Sequence, residues 1–99
     1  MAKNKDYSRY SIEETICTLS QSEKSKWGKF VVKASMDDSP VTLDIRHLCQ
    51  KDDGTYIIGK GISLNDTEAD ALTESLVDNG YGNLDKLEES CKRRRSIYY

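Results

Sequence analysis

Over its first two thirds the chain alternates apolar and polar residues with a period of two, and after residue 65 the spacing becomes helical. Residues 10–19, YSIEETICTL, are rich in β-branched side chains and predict a first strand with Ile12, Glu14, Ile16 and Thr18 on one side. QSEKSK, residues 21–26, has no apolar residue and reads as a hairpin loop. Residues 27–35 alternate again: Gly28, Phe30, Val32 and Ala34 form a candidate core face, and Trp27, Lys29, Val31 and Lys33 the other. MDDSP, residues 36–40, collects turn formers and the sole proline. In a third strand, 41–49, Val41, Leu43, Ile45 and His47 take one side, on which His47 alternates with expected core residues, and Thr42, Asp44, Arg46 and Leu48 the other. KDDG, residues 51–54, is an Asp-Gly turn, and residues 55–64 form a fourth strand whose glycines admit the close approach of another backbone or a ligand.

GKGISLNDTEADAL, residues 59–72, changes from strand to helix in its middle. Asn65 is a preferred N-cap and Glu68, three residues on, completes a capping box, so a helix starts at Asp66. Ala69, Leu72 and Leu76 give it a narrow apolar stripe and Gly80 a left-handed stop. A weaker pattern at Leu84, Leu87 and Cys91 predicts a second, short helix ending in basic residues, with fraying or docking onto a partner beyond Arg95. The fold class is α+β: a four-stranded antiparallel sheet, a helix, and a short extra C-terminal helix or tail. One narrow helix stripe leaves sheet edges unpaired and apolar surface uncovered; two copies joined through helices and edges relieve both defects, which favours a two-fold dimer with Ala69, Leu72 and Leu76 at its interface. The expected organisation is a basic arm at 1–9, the main domain at 10–80 and the C-terminal helix and tail at 81–99.

Ninety-nine residues suit one domain near the lower size limit for a self-sufficient core. No apolar run reaches the roughly 18 residues of a membrane span, and the N-terminus lacks the apolar stretch of a signal peptide, so an intracellular protein is expected. Three cysteines without CxxC spacing and a single histidine point to neither a disulfide framework nor a zinc site. The net charge of −2 hides a segregation: residues 1–36 hold seven Lys/Arg against four Asp/Glu, whereas 66–91 hold one against eight. The last eight residues add four cations, Lys92, Arg93, Arg94 and Arg95. Such a division lets one region attract phosphates while another repels them.

LDIRHLCQKDDGTYIIGKGISLN, residues 43–65, resembles the positive cofactor four family of transcription coactivators and its bacterial and phage relatives. The matching elements are the Asp-Ile-Arg at 44–46, the acidic glycine turn and the Gly-Lys-Gly-Ile-Ser-Leu-Asn at 59–65; in order and spacing the likeness runs over about residues 10–80. The resemblance implies a dimer of curved four-stranded sheets with single-stranded DNA across them, and a home in the cytoplasm of a bacterium or phage-infected host, or a nucleus if eukaryotic. It carries Arg46 onto a DNA-facing strand arginine, Lys60 onto the lysine before the helix, Lys29 and Lys33 onto a basic second strand, and Trp27 onto an aromatic of bacterial members. The chain departs from the pattern at Leu48 and Cys49, where many members have an aromatic, and in having Lys60 alone between its glycines.

Sequence-tolerant binding of single strands needs cations along the backbone and π-faces under the bases, each stack contributing about 1–3 kcal/mol. Trp27, Lys29, Lys33, Arg46 and Tyr56 on one sheet face, with Lys60, are the candidates. The bland alternative is that the aromatics close the sheet edge and the lysines are merely solvated. The KRRR run is equally a solubilising tail or a second contact, to duplex DNA. The paired aspartates 37/38 and 52/53 sit in turn contexts, GxxxxGK[ST] is absent and His47 has no nucleophile at a useful spacing, so neither an enzyme nor a cofactor or metal is expected. The competing class is an adaptor whose acidic helix surface, 66–89, contacts a basic transcription or replication protein.

Overall fold

The computed structural model describes residues 9–98, so the basic arm expected at 1–9 lies outside the described residues apart from Arg9. Strands β1 (Tyr10–Gln21), β2 (Trp27–Met36), β3 (Thr42–Gln50) and β4 (Tyr56–Leu64) are followed by helices α1 (Asp66–Asp78) and α2 (Leu84–Tyr98). The sheet is antiparallel throughout, in the order β1-β2-β3-β4, so every connection is a hairpin. The chain divides into two compact units, one ending at Ala69 and one beginning at Asp70.

Local chemistry accounts for the turns. Between β3 and β4, the Asp53 carboxylate accepts from the Thr55 amide at 2.9 Å and from its hydroxyl at 2.6 Å, while Asp52 pairs with Lys26 from the first hairpin. Asp37 adopts a left-handed φ of 55° after β2 and its carboxylate meets Arg9 at 3.1 Å. Helix α1 begins with the expected reciprocal cap, the Glu68 amide donating to Asn65 Oδ1 at 2.8 Å and the Asn65 amide to Glu68 Oε1 at 2.9 Å. It ends on Gly80 at φ 90°, with Tyr81 N–H on Leu76 O and Gly80 N–H on Val77 O, the paired bonds of a Schellman stop. Asn83 caps α2 by accepting from the Lys86 amide at 3.1 Å.

Two expectations of facing are corrected by register. In β1, Ile12, Glu14, Ile16 and Thr18 do not share a side. Bulges between Ile12 and Glu14, Thr15 and Cys17, and Thr18 and Ser20 make three residues of β1 oppose two of β2. Ile12, Thr15 and Thr18 therefore stand over Ala34, Val32 and Phe30, Glu14 and Cys17 over Lys33 and Val31, and the supernumerary Ile16 and Leu19 are exposed. Each bulge bends its strand and adds twist, so the first edge of the sheet curls. In β3, the side bearing Val41, Leu43, Ile45 and His47 is not the core side, because Phe30 pairs with Arg46 and Val32 with Asp44. The core is Phe30, Val32, Ala34 and Leu48, packed by Tyr10 and Ile12 from one edge strand and Tyr56 and Ile58 from the other. The face that holds these residues is the inner face of the sheet, and the opposite one the outer face.

The helices differ from expectation in one respect. α2 is not short: its 15 residues exceed the 13 of α1, and it ends not at the basic run but at Tyr98, past Arg95 where fraying or docking was expected. Nothing in α1 is buried, and Leu72, Leu76 and Val77 are exposed.

Candidate nucleic-acid interface

The six residues expected to contact nucleic acid do not lie on one face. Arg46 and Tyr56 belong to the inner face, where the pairs Phe30–Arg46 and Gln50–Tyr56 put them, and this corrects the expectation that they join Trp27, Lys29 and Lys33. Tyr56 packs edge-on against Phe30, ring centroids 6.0 Å apart at 70°. Arg46 is only 8% exposed and is committed within the protein. Its Nη2 lies 3.3 Å from Asp44 Oδ2, its Nη1 donates to Gly59 O at 3.0 Å, and its guanidinium carbon sits 4.8 Å from the centre of the Tyr10 ring.

Asp44, 1% exposed, is the hub of that cluster. Tyr10 Oη donates to its Oδ2 at 2.5 Å and Thr42 Oγ1 to its Oδ1 at 2.8 Å. Burial pushes the Asp44 carboxyl up, but hydrogen bonds from Tyr10, Ser63 and Thr42 and the charge of Arg46 together outweigh it and hold the group below its ordinary value. Burial, then the hydrogen bond and charge of Asp44, raise the Tyr10 phenol well above its usual range. Burial works against the Arg46 charge too, yet Tyr10 and Asp44 raise its pKa overall. The cluster ties β1, β3 and β4 together and lines a cavity of about 210 Å³ with Ser39, Pro40 and Ser63. Tyr10, the partner on which this depends, was missed by sequence reasoning. The signal available was Asp44 and Arg46 two apart on one strand, and therefore on the same side of it.

The outer face holds Trp27, Lys29 and Lys33 of β2, with Lys29 opposite His47 and Trp27 opposite Cys49. Lys29, Lys33 and His47 are exposed, and Trp27 is half-buried. Between Arg46 and Leu48 the β3–β4 register slips by one, so Gly59 and Lys60 together oppose His47. Counting back by alternation from Gly61, the partner of Arg46, puts Lys60 on the outer side. The paired glycines thus have separate reasons. A Cβ on Gly61 would stand 2.6 Å from Ile45 O and 2.8 Å from Arg46 Cα; one on Gly59 would stand 2.8 Å from His47 O and 2.9 Å from Trp27 Cζ3. Gly59 lets the indole reach across β3, where it meets the His47 ring at a centroid distance of 5.2 Å and a tilt of 44°.

Around this row the surface is mixed. Val31, Leu43 and Ile45 are half-buried, and Ile57 and Ile62 are exposed. The carboxylate nearest to Lys33 is Glu14 of β1, 3.9 Å away and solvent-exposed, a pair of little energy. β2 and β4 contain no acidic residue. The arrangement can do what the sequence led us to seek, with four of the six residues: present cations beside an aromatic ring on an open, shallow surface. On α2, Lys92 meets Glu89 at 3.5 Å and Arg93 Nη2 meets Ser90 Oγ at 3.0 Å, while Arg94 and Arg95 are exposed. Among the described residues no group of His, Cys, Asp and Glu is placed to hold a metal ion, and no helix is long and apolar enough to cross a membrane. Comparison of the chain with protein-family models, with curated proteins and with solved structures finds no match in any of the three.

Proposed function

We propose that the chain is a homodimeric single-stranded DNA-binding protein of the transcription-coactivator type that its 44–46 and 59–65 motifs resemble. It holds unpaired DNA, with little sequence preference, in transcription, replication or recombination. The observation that carries this reading is the outer face: Trp27, Lys29, Lys33 and Lys60 on one surface of a sheet whose strands β2 and β4 have no acid. Exposed cations with no more than one weak pair among them, Lys33 with Glu14 at 3.9 Å, exchange counterions for phosphates, and the indole offers a sequence-tolerant stacking surface. Arg46 and Tyr56 serve this face from behind, as part of the packing that holds the sheet. The dimer is supported by α1, whose Leu72 and Leu76 are exposed in the single chain.

Fluorescence anisotropy of labelled single-stranded, bubble and duplex oligonucleotides tests the reading. Binding is expected to favour the first two, and the triple substitution Lys29→Ser, Lys33→Ser, Lys60→Ser to flatten the salt dependence by about 2, three contacts at roughly 0.7 each. Single-strand affinity and salt slope left unchanged by the triple variant would sink it. One observation favours a second reading, an adaptor for a basic protein: α1 carries Asp66, Glu68, Asp70, Glu74 and Asp78 and no base. That reading requires Asp70→Lys with Glu74→Lys to abolish function while oligonucleotide binding by the lysine face is dispensable.

A further inference from the structure

We infer that Trp27 and His47 form one composite ring platform, seated on Gly59, that takes a base of the single strand, and that His47 in its imidazolium form joins Lys29 and Lys60 against the neighbouring phosphate. The inference rests on the reading of the outer face as a single-strand site and adds to it a contact residue and a dependence on pH.

Three features carry it. The two rings are in contact across the strand pair, and the space that contact needs exists only because residue 59 has no side chain. His47 is exposed, so the platform opens to solvent and is not filled by core residues. Among the described residues, the groups paired with or packed on His47 are neutral or cationic: Lys29 directly opposite on β2, Trp27 beside it, and Gly59 and Lys60 across the bulge on β4. Carboxylates lie further out. Glu14 of β1 stands over Lys33, Asp52 is paired with Lys26 at the hairpin end, and Asp44 is buried on the opposite face. Lys29 and Lys60 disfavour a charge on the imidazole alone, whereas an anion set among the three favours it, so the charged ring and the anion come together. The phosphodiester is that anion, and the base attached to it is placed over the rings.

The chain has one histidine and one tryptophan, so the test is unambiguous. With a labelled unstructured oligonucleotide, anisotropy should show binding about two- to fivefold tighter at pH 5.5 than at pH 8, the scale of one exposed charge pair. The salt dependence should steepen by about 0.7, one further phosphate contact. His47→Gln should bind at both pH values as the parent does at pH 8, and His47→Arg at both as the parent does at pH 5.5. Equal parental affinity at the two pH values, or a pH effect that survives in His47→Gln, overturns the inference and leaves the single-strand reading standing. No binding of single strands at either pH overturns both.

Discussion

Arg46 and His47 are consecutive residues on β3, and the two faces of the sheet treat them in opposite ways. On the inner face a guanidinium is enclosed among Asp44, Tyr10 and a backbone carbonyl; on the outer face an imidazole stands in water with a lysine opposite. The inner charge is spent on the fold, since it neutralises a carboxylate that is itself buried. Among the described residues the outer cations form one weak pair only, Lys33 with Glu14. Cationic residues at strand positions are therefore no guide to ligand contact until their neighbours across the sheet are known. Removing one partner of a buried pair is costly because the other charge remains, whereas removing an exposed lysine leaves nothing stranded.

That contrast can be broken by substitution. Asp44→Ala leaves the Arg46 charge enclosed without its carboxylate and should lower unfolding free energy by about 3–5 kcal/mol, whereas Lys29→Ser should stay within about 0.5 kcal/mol. Urea denaturation of the two variants measures both, and equal losses would erase the distinction between the faces. Gly61→Ala should cost about 1–3 kcal/mol by pushing β4 away from β3, since the new methyl meets backbone that cannot move independently. Thermal unfolding checks this, and an unchanged melting temperature would place the bulge elsewhere than between Arg46 and Leu48.

The smallest effect expected is on the pH dependence of stability. The folded-state pKa of Asp44 is depressed, so its contribution is fully present above the ordinary aspartate value of about 3.9 and is lost as the pH falls below it. Tyr10 is shifted the other way: its contribution is fully present below the ordinary phenol value of about 10 and is lost as the pH rises beyond it. Stability measured across the acid limb should lose its Asp44 component in Asp44→Asn, and the alkaline limb its Tyr10 component in Tyr10→Phe. An acid limb identical in parent and Asp44→Asn would show that the carboxylate is not held as the inner-face geometry requires.

Much of the fold was legible because its signals are short in range. The Asn65–Glu68 cap, the Gly80 stop, the Asp-Gly turn and the alternation of β2 each involve groups within a few residues, and each stands where the pattern put it. The site was legible in composition and not in grouping. Trp27, Lys29 and Lys33 followed from alternation within one strand, but relating them to Arg46, Tyr56 and Lys60 required the register of two hairpins. In β3 the apolar alternation pointed to Leu43 and Ile45 as the inner side, and the ion pair of Asp44 with Arg46 reversed it. A charged pair that satisfies itself can occupy a core position that hydrophobicity alone assigns to its neighbours. In β1 a period of three replaced the period of two, since bulges arise between strands and leave no mark in the strand that carries them.

The amino-acid sequence by itself determined the order of elements, the start and stop of α1, and the supply of cations and rings, because these depend on backbone preference and on side chains close in the chain. Only the tertiary structure decided which charge is enclosed and which is offered to solvent, that Tyr10 closes over Asp44 and Arg46, and that Gly59 makes room for an indole beside an imidazole. These are outcomes of strand pairing, and a shift of register by one residue, as at the bulge beside His47, moves a side chain from one face of the sheet to the other.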